Sequence, residues 1–285
     1  MQFVTVGGAT IPALGFGTYG MARPDMLRMI PAALKAGFRH IDTAQIYRNE
    51  AEVGECVAAS SLRREELFLT TKIWVANYPE RAFIRSLDDS LCKLCTDHID
   101  LLLLHWPSGA VPLVEQIAGL NAAVQAGKAR NIGVSNFNST LLAEAVKLSA
   151  APIVTNQFEY HPYLNQRTLI DACRQLDVSV TAYCGMAVGR VFDEPFLKDI
   201  AAAHGKTVAQ IVLRWLLQQN GMIALSRSTN PERIASNMQV LGFTLSPAEI
   251  TSIHNLARDG SRIVDPPGLA PHWDPTPDAA IAAAV

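Results

Sequence analysis

Three polar side chains stand where apolar runs of this sequence stop. Asp42 closes Phe38–Asp42, Lys72 closes Leu67–Lys72, and His105 follows Ile99–Leu104. Tyr47 lies five residues beyond Asp42. Gathered in one place, this carboxylate, ammonium, imidazole and phenol would form a proton-donating centre. A tyrosine hydroxyl titrates near ~10, too high for easy donation at neutral pH. An adjacent Lys⁺ favours the phenolate and lowers that value. A carboxylate beside the lysine keeps it charged under partial burial. A neutral histidine donates a hydrogen bond that orients a carbonyl oxygen. The set suits protonation of a carbonyl oxygen while hydride arrives at its carbon.

Each member has a plainer alternative. Asp42 and Lys72 could be a structural ion pair, His105 a satisfied core histidine, and Tyr47 a rim tyrosine. A metal reading also exists, because His40 and Asp42 alternate onto one strand face. It lacks convincing further ligands, and Lys72 would repel a cation, so no metal is expected.

These residues need elements to position them. Eight short apolar strands are predicted: Leu14–Gly17, Phe38–Asp42, Leu67–Lys72, Ile99–Leu104, Asn131–Ser135, Ile153–Gln157, Val178–Tyr183 and Met222–Arg227. Most are followed by one amphipathic helix. In Pro79–Leu94, the residues Phe83, Ile84, Leu87, Leu91 and Leu94 form one stripe. Thr207–Gln210 and Ser246–Glu249 read as capping boxes. An extra helix is expected near Asp193–Ala203. Strands apolar on both faces belong to a buried parallel sheet. Eight such units in about 240 residues predict a (β/α)₈ TIM barrel, α/β in class. Phe3–Thr10 reads as an N-terminal β-hairpin with a Gly-Gly turn, able to plug the bottom. Asp259–Asp274 reads as a C-terminal loop over the barrel mouth. Residues 1–285 are expected to form a single domain, with 275–285 loosely ordered.

A barrel works at the C-terminal ends of its strands. There the second half of the chain offers Ser135, Asn136, Gln157 and Tyr183. The amides and hydroxyl could hold a carboxamide, and the phenol could stack on an aromatic ring. The last strand runs into Ser226-Arg227-Ser228-Thr229-Asn230-Pro231-Glu232-Arg233. Pro231 suits a first helical position with Asn230 as N-cap, which puts Arg233 in the first turn. A cation there opposes the helix dipole unless an anion binds. Asn237 shares the face of Arg233. The alternative is a solvated charged helix start. Gly15-Phe16-Gly17-Thr18-Tyr19-Gly20 matches a dinucleotide-binding G-x-G-x-x-G literally, with Asp42 suitably distant. The strand before it is too short, however, and no helix opens on the third glycine. The glycines read instead as a sharp turn at the barrel rim.

Lys and Arg total 24 against 26 Asp and Glu, a net charge of −2. No large basic excess points to nucleic acid or an anionic membrane. No apolar run approaches the ~20 residues of a membrane span. Met1–Thr5 lacks the basic start and apolar run of a secretory leader. Five cysteines do not resemble a disulfide framework, so a reducing cytoplasm is expected. Cys92 and Cys95 form a C-x-x-C. It reads as two core-facing or partly exposed thiols on a helix, with a redox pair as the alternative.

Four stretches resemble the signatures of the aldo-keto reductase superfamily, in order. They are Phe38–Ala44 with Tyr47, Thr71-Lys72-Ile73-Trp74, Leu104-His105-Trp106-Pro107 and Ile132–Phe137. Within it the chain is most similar to the bacterial 2,5-diketo-D-gluconate reductases of the B type, through Asp42–Tyr47, Ala235-Ser236-Asn237 and Gly268–Asp274. The resemblance implies a monomeric-type barrel that reduces aldehydes and ketones with NADPH (NADP⁺ on oxidation). Small carbonyls such as 2,5-diketo-D-gluconate or methylglyoxal are the implied substrates. By matching position, Tyr47 is the proton donor, Lys72 and Asp42 tune it, and His105 orients substrate. Ser135, Asn136 and Gln157 hold the nicotinamide amide, and Tyr183 stacks on the ring. Gly17, Thr18 and Asp42 line the cofactor. Arg227, Ser228, Thr229 and Arg233 take the 2′-phosphate side, with Asn237 on the adenine. Tyr19, Trp74, His105, Trp106 and Trp273 line the substrate pocket, with Met21 nearby. Two departures stand out. Cys184-Gly185-Met186 replaces the Ser-Pro-Leu that contacts the pyrophosphate in many relatives, and Arg227 replaces a lysine. Arg227 keeps the charge and adds a fork. Two other functions compete with the reductase: a non-catalytic nicotinamide-binding module and a barrel hydrolase or metalloenzyme.

Overall fold

The computed structural model describes residues 1–276. The strands β1 (Phe3–Val6) and β2 (Ala9–Pro12) pair antiparallel around Gly7 and Gly8. Eight further strands are parallel and close into a barrel. They are β3 (Leu14–Gly17), β4 (His40–Asp42), β5 (Phe68–Ile73), β6 (Ile99–Leu104), β7 (Ala129–Ser135), β8 (Ile153–Glu159), β9 (Ser179–Tyr183) and β10 (Met222–Ser226). β10 pairs back onto β3, so no edge is left open. The (β/α)₈ barrel and its N-terminal hairpin are therefore present as the apolar spacing predicts. The hairpin sits at the barrel's lower end. A Cβ on Gly7 would lie 2.8 Å from Pro152 and 3.3 Å from Val154, where β8 begins.

Among the described residues, ten helices surround the strands: α1 (Arg23–Ala36), α2 (Glu50–Ala58), α3 (Glu80–Lys93), α4 (Leu113–Gln125), α5 (Ser139–Leu148), α6 (Arg167–Gln175), α7 (Pro195–His204), α8 (Val208–Leu217), α9 (Pro231–Met238) and α10 (Pro247–His254). Both predicted capping boxes form, at Thr207 with Gln210 and at Ser246 with Glu249. Asn230 caps α9 as expected, its Oδ1 accepting from the amides of Glu232 (2.8 Å) and Arg233 (3.4 Å). On α3, Phe83, Leu87 and Leu91 are buried, but Ile84 is 46% exposed. It lies one position off the face that meets the barrel, so the stripe is narrower than predicted.

The literal G-x-G-x-x-G divides into separate roles. A Cβ on Gly15 would lie 2.7 Å from Leu225 and 2.9 Å from the His40 ring, so Gly15 permits close packing inside the barrel. Gly20, at φ 67°, makes the rim turn. Cys92 and Cys95 are both exposed and free. Among the described residues, no helix is long and apolar enough to cross a membrane. Most of the tail expected to be loose, residues 277–285, lies outside the described residues.

Residues 259–276 cross the mouth and are tied on both sides. The Glu159 carboxylate accepts the amides of Ile263 (2.8 Å) and Val264 (2.7 Å). On the other side Asn138 donates to the His272 carbonyl (2.8 Å), and the amide and hydroxyl of Ser139 donate to Asp274. Asp274 thereby places a carboxylate at the positive start of α5.

Candidate active site

Parallel register brings the strand ends level. Asp42 pairs with Gly17 on one side and Thr70 on the other, and Ser135 pairs with Gln157. The chain leaves β4 through extended Ala44 into a single tight turn, Gln45–Tyr47, closed by Arg48 in the left-handed region. That turn aims the Tyr47 phenol back over the barrel.

Asp42, Lys72, Tyr47 and His105 converge there. Lys72 Nζ donates to Asp42 Oδ1 (2.5 Å) and to the Thr43 carbonyl (2.9 Å), and it stands 3.5 Å from Tyr47 Oη. Lys72 is wholly buried and Asp42 nearly so. The Tyr47 and His105 rings meet edge to face at 5.6 Å between centroids. Burial draws the Lys72 ammonium below its ordinary value, and the Asp42 charge opposes that shift. Burial, with Lys72 second, takes His105 well below the usual histidine range, so its ring is neutral. His105 Nδ1 is buried with no hydrogen-bond partner among the described residues. Only Nε2 is left for a ligand.

Tyr47 departs from the expected electrostatics. Its phenol is pushed well above the ordinary tyrosine value, first by burial and then by the Asp42 charge. Loss of water comes first, and the charge that acts on the phenol is the Asp42 carboxylate rather than the Lys72 ammonium.

The residues expected around a cofactor reach the same mouth, but several side chains are already engaged. Gln157 Nε2 donates to the second Asp42 oxygen (2.8 Å). Ser135 donates to the Gln157 carbonyl (2.8 Å). Asn136, at φ 63°, donates to the His105 carbonyl (3.0 Å) and accepts from the Tyr183 phenol (2.7 Å). The two halves of the mouth are thus one hydrogen-bonded unit. A Cβ on Gly17 would meet Leu225 and the Ser226 carbonyl only at ordinary contact distance, 3.9 and 4.0 Å. Thr18 turns its hydroxyl inward onto the Asp42 carbonyl (3.1 Å). His40, the other member of the metal reading, has its nitrogens on Pro12 and Thr70 in the barrel interior.

Arg227 and Arg233 are exposed at the rim after β10. Arg227 donates to the Gly20 carbonyl (3.1 Å). Ser228 closes a local turn with Asn230, and the Thr229 carbonyl accepts from Arg28. Asn237 is buried and donates to Ser226 Oγ (2.9 Å). Around the reacting end, Tyr19 is edge-on to Tyr47 (5.0 Å), Trp74 to His105 (5.4 Å), and Trp273 to Trp106 (6.4 Å). The segment after Tyr183 holds Cys184, Ala187, Val188 and Gly189 at positive φ. A β-branched residue is strained there.

Sequence reasoning passed over the supports. Gln45 accepts from the Trp74 amide (2.8 Å), and buried Tyr78 holds both the carbonyl and the amide of Trp106. Asn49 clasps Thr18 and Thr43. Buried Glu50, pushed up by burial, accepts from Thr71 (2.6 Å). Glu159 was missed because β8 runs two residues past the predicted end. Its signal is a charge set between the aromatic residues Phe158 and Tyr160.

This closed parallel barrel carries a carboxylate, an ammonium, a phenol and an imidazole at one mouth, a set able to move a proton. Residues 13–258 match the Aldo/keto reductase family, and the chain belongs to it. It is 41% identical to the methylglyoxal reductase DkgB of Yersinia pestis over 268 residues, covering 93% of this chain and 100% of that one. A solved structure provisionally named a 2,5-diketo-D-gluconic acid reductase B is 53% identical, with TM-score 0.95, covering 96% of this chain and 98% of that one. The Bombyx mori aldo-keto reductase solved in complex with NADP is 34% identical, with TM-score 0.86, covering 93% and 95%.

Proposed function

We propose that this protein reduces small aldehydes and ketones with NADPH, and that Tyr47 delivers the proton. The observation that carries the reading is the continuous chain Asp42–Lys72–Tyr47 beside a neutral His105. NADPH, when bound, supplies hydride to the carbonyl carbon. His105 Nε2 donates to the carbonyl oxygen and fixes its position. Tyr47 Oη gives its proton to that oxygen as negative charge builds there. A phenol of raised pKa keeps its proton at working pH, and an alkoxide is basic enough to take it. Lys72 then faces the phenolate at hydrogen-bond distance and stabilises it.

The rim fits the cofactor's phosphate end. Arg227 and Arg233 are exposed cations beside the start of α9, a ready anion site. Arg227, Ser228, Thr229 and Arg233 would hold the 2′-phosphate, with Asn237 beneath the adenine. Ser135, Asn136 and Gln157 would meet the nicotinamide amide with the hydrogen-bonding capacity left to them, and Tyr183 would stack on the ring. Gly17 and Thr18 would approach through backbone. The aromatic wall of Tyr19, Trp74, Trp106 and Trp273 would admit methylglyoxal or 2,5-diketo-D-gluconate, the substrates named for relatives. The reading takes the chain as one domain, a monomer, working in the cytoplasm, where five free thiols persist.

The test is consumption of NADPH by purified protein with methylglyoxal, 2,5-diketo-D-gluconate and an aromatic aldehyde, with NADH in parallel. Turnover preferring NADPH is expected. Cofactor binding without turnover of any carbonyl would leave a nicotinamide-binding module instead.

A further inference from the structure

One side chain at the mouth holds two walls of the reacting space at once. Gln45 opens the single turn that carries Tyr47, and its backbone carbonyl accepts the Arg48 amide that closes the turn (3.2 Å). The side chain is half-buried. Its Oε1 accepts from the Trp74 amide (2.8 Å) and from Asn77 Nδ2 (2.9 Å). Its Nε2 donates to the Ser86 carbonyl (3.1 Å) and to Ser90 Oγ (3.2 Å). A primary amide has two lone pairs and two N–H donors, so its whole capacity is spent inside the protein. Ile46 and Arg48 are exposed, which leaves the hold of this turn on the body to Gln45 and to Asn49 just beyond. A lone turn is marginal by itself, so its tilt is set by what its side chains grip.

The two arms of the amide grip different elements. The acceptor arm fixes the chain where it leaves β5, at Trp74. The donor arm fixes the turn on α3, and Ser90 there donates onward to Glu50 at the start of α2 (3.3 Å). Tyr47 and Trp74 both meet the His105 ring edge to face, at 5.6 and 5.4 Å between centroids. One amide thus ties together the backbones that carry the two aromatic neighbours of His105.

We infer that Gln45 is a positioning residue that fixes the spacing between the Tyr47 phenol and the Trp74 wall, and so governs both proton delivery and the size of carbonyl substituent that fits. This rests on the reductase reading of the same site. Gln45 acts only through its neighbours, and a shift of about 1 Å in a reacting group costs on the order of a hundredfold in rate.

The experiment uses Gln45→Met, which keeps the length of the side chain and removes all four of its hydrogen bonds. With methylglyoxal, kcat should fall by about tenfold to a hundredfold. The solvent isotope effect on kcat should grow, because proton delivery becomes the slower event. KM should rise more for an aromatic aldehyde than for methylglyoxal, since only the former is large enough to lean on Trp74. NADPH affinity, read by tryptophan fluorescence, should be unchanged. Gln45→Glu keeps the acceptor arm and should recover KM while kcat stays reduced. A lowered melting temperature with the isotope effect and the KM ratio unmoved would overturn the inference, as would a matching loss of NADPH affinity. Failure of wild type to turn over any carbonyl would count against the reductase reading instead. Amide hydrogen exchange then still judges Gln45: the Trp74 amide should lose protection in Gln45→Met, and unchanged protection would overturn its role.

Discussion

The two sides of the barrel mouth are built on opposite electrostatic terms. On the β4–β6 side, Asp42 and Lys72 are buried and joined to each other, to Gln157 and to the Thr43 carbonyl. On the β10 side, Arg227 and Arg233 stand exposed, touching backbone at most. The difference follows from what each must do. A group that stabilises charge in a transition state gains from low dielectric and fixed dipoles, so it is sealed and pre-paired. A group that captures a charged ligand from water must stay free until the ligand comes, and its attraction is useful at a distance.

Substitutions separate the two designs. Tyr47→Phe removes only the proton and should cost about a hundredfold to ten-thousandfold in kcat, the usual worth of a general acid. NADPH binding, followed by tryptophan fluorescence, should be nearly intact. Full turnover in that variant would refute Tyr47 as donor. Lys72→Met leaves Asp42 buried without its partner. Calorimetry should show a loss on the order of 3–5 kcal/mol, the cost of breaking a buried pair. A stability close to wild type would mean that the pair is wetter than the buried geometry implies.

Rim changes should be milder and should not touch the chemistry. Arg227→Ala should weaken NADPH binding by about tenfold to a hundredfold and leave NADH binding alone, because only NADPH carries the 2′-phosphate. Equal losses for both would assign Arg227 another role.

The smallest effect is on pH dependence. Tyr47 is raised well above ordinary tyrosine, and His105 is lowered well below ordinary histidine. Neither changes protonation between about pH 6.5 and 10, so kcat for reduction should be flat across that range. A rate that falls with rising pH inside it would restore the lysine-lowered phenol that the sequence suggests. Stability should respond at the acid end. His40 and His105 are lowered in the fold, so below about pH 6.5 the unfolded chain binds more protons and the fold loses stability as pH falls.

Much of this was legible beforehand, for a local reason. Apolar runs bounded by turns mark strands, and Ser, Thr and Asn caps mark helix starts within a few residues. Polar residues at strand ends therefore point to Asp42, Lys72 and His105. What misled was always long-range. Ile84 keeps the helical period but points off the packed face. Gln157 is compatible with holding a carboxamide, yet its amide is taken by Asp42, 115 residues away in sequence. Thr18 and Asn237 carry suitable groups that turn inward.

The amino-acid sequence by itself determined the barrel, its hairpin and the identity of four converging side chains, because period, capping and strand order are written in neighbouring residues. Tertiary structure alone decided the charge states and the partners. The Tyr47 phenol rises because the fold buries it beside the Asp42 carboxylate, and the Gln157 amide is spent on that same carboxylate. Both come from contacts between residues distant in the chain, whose strength is set by burial.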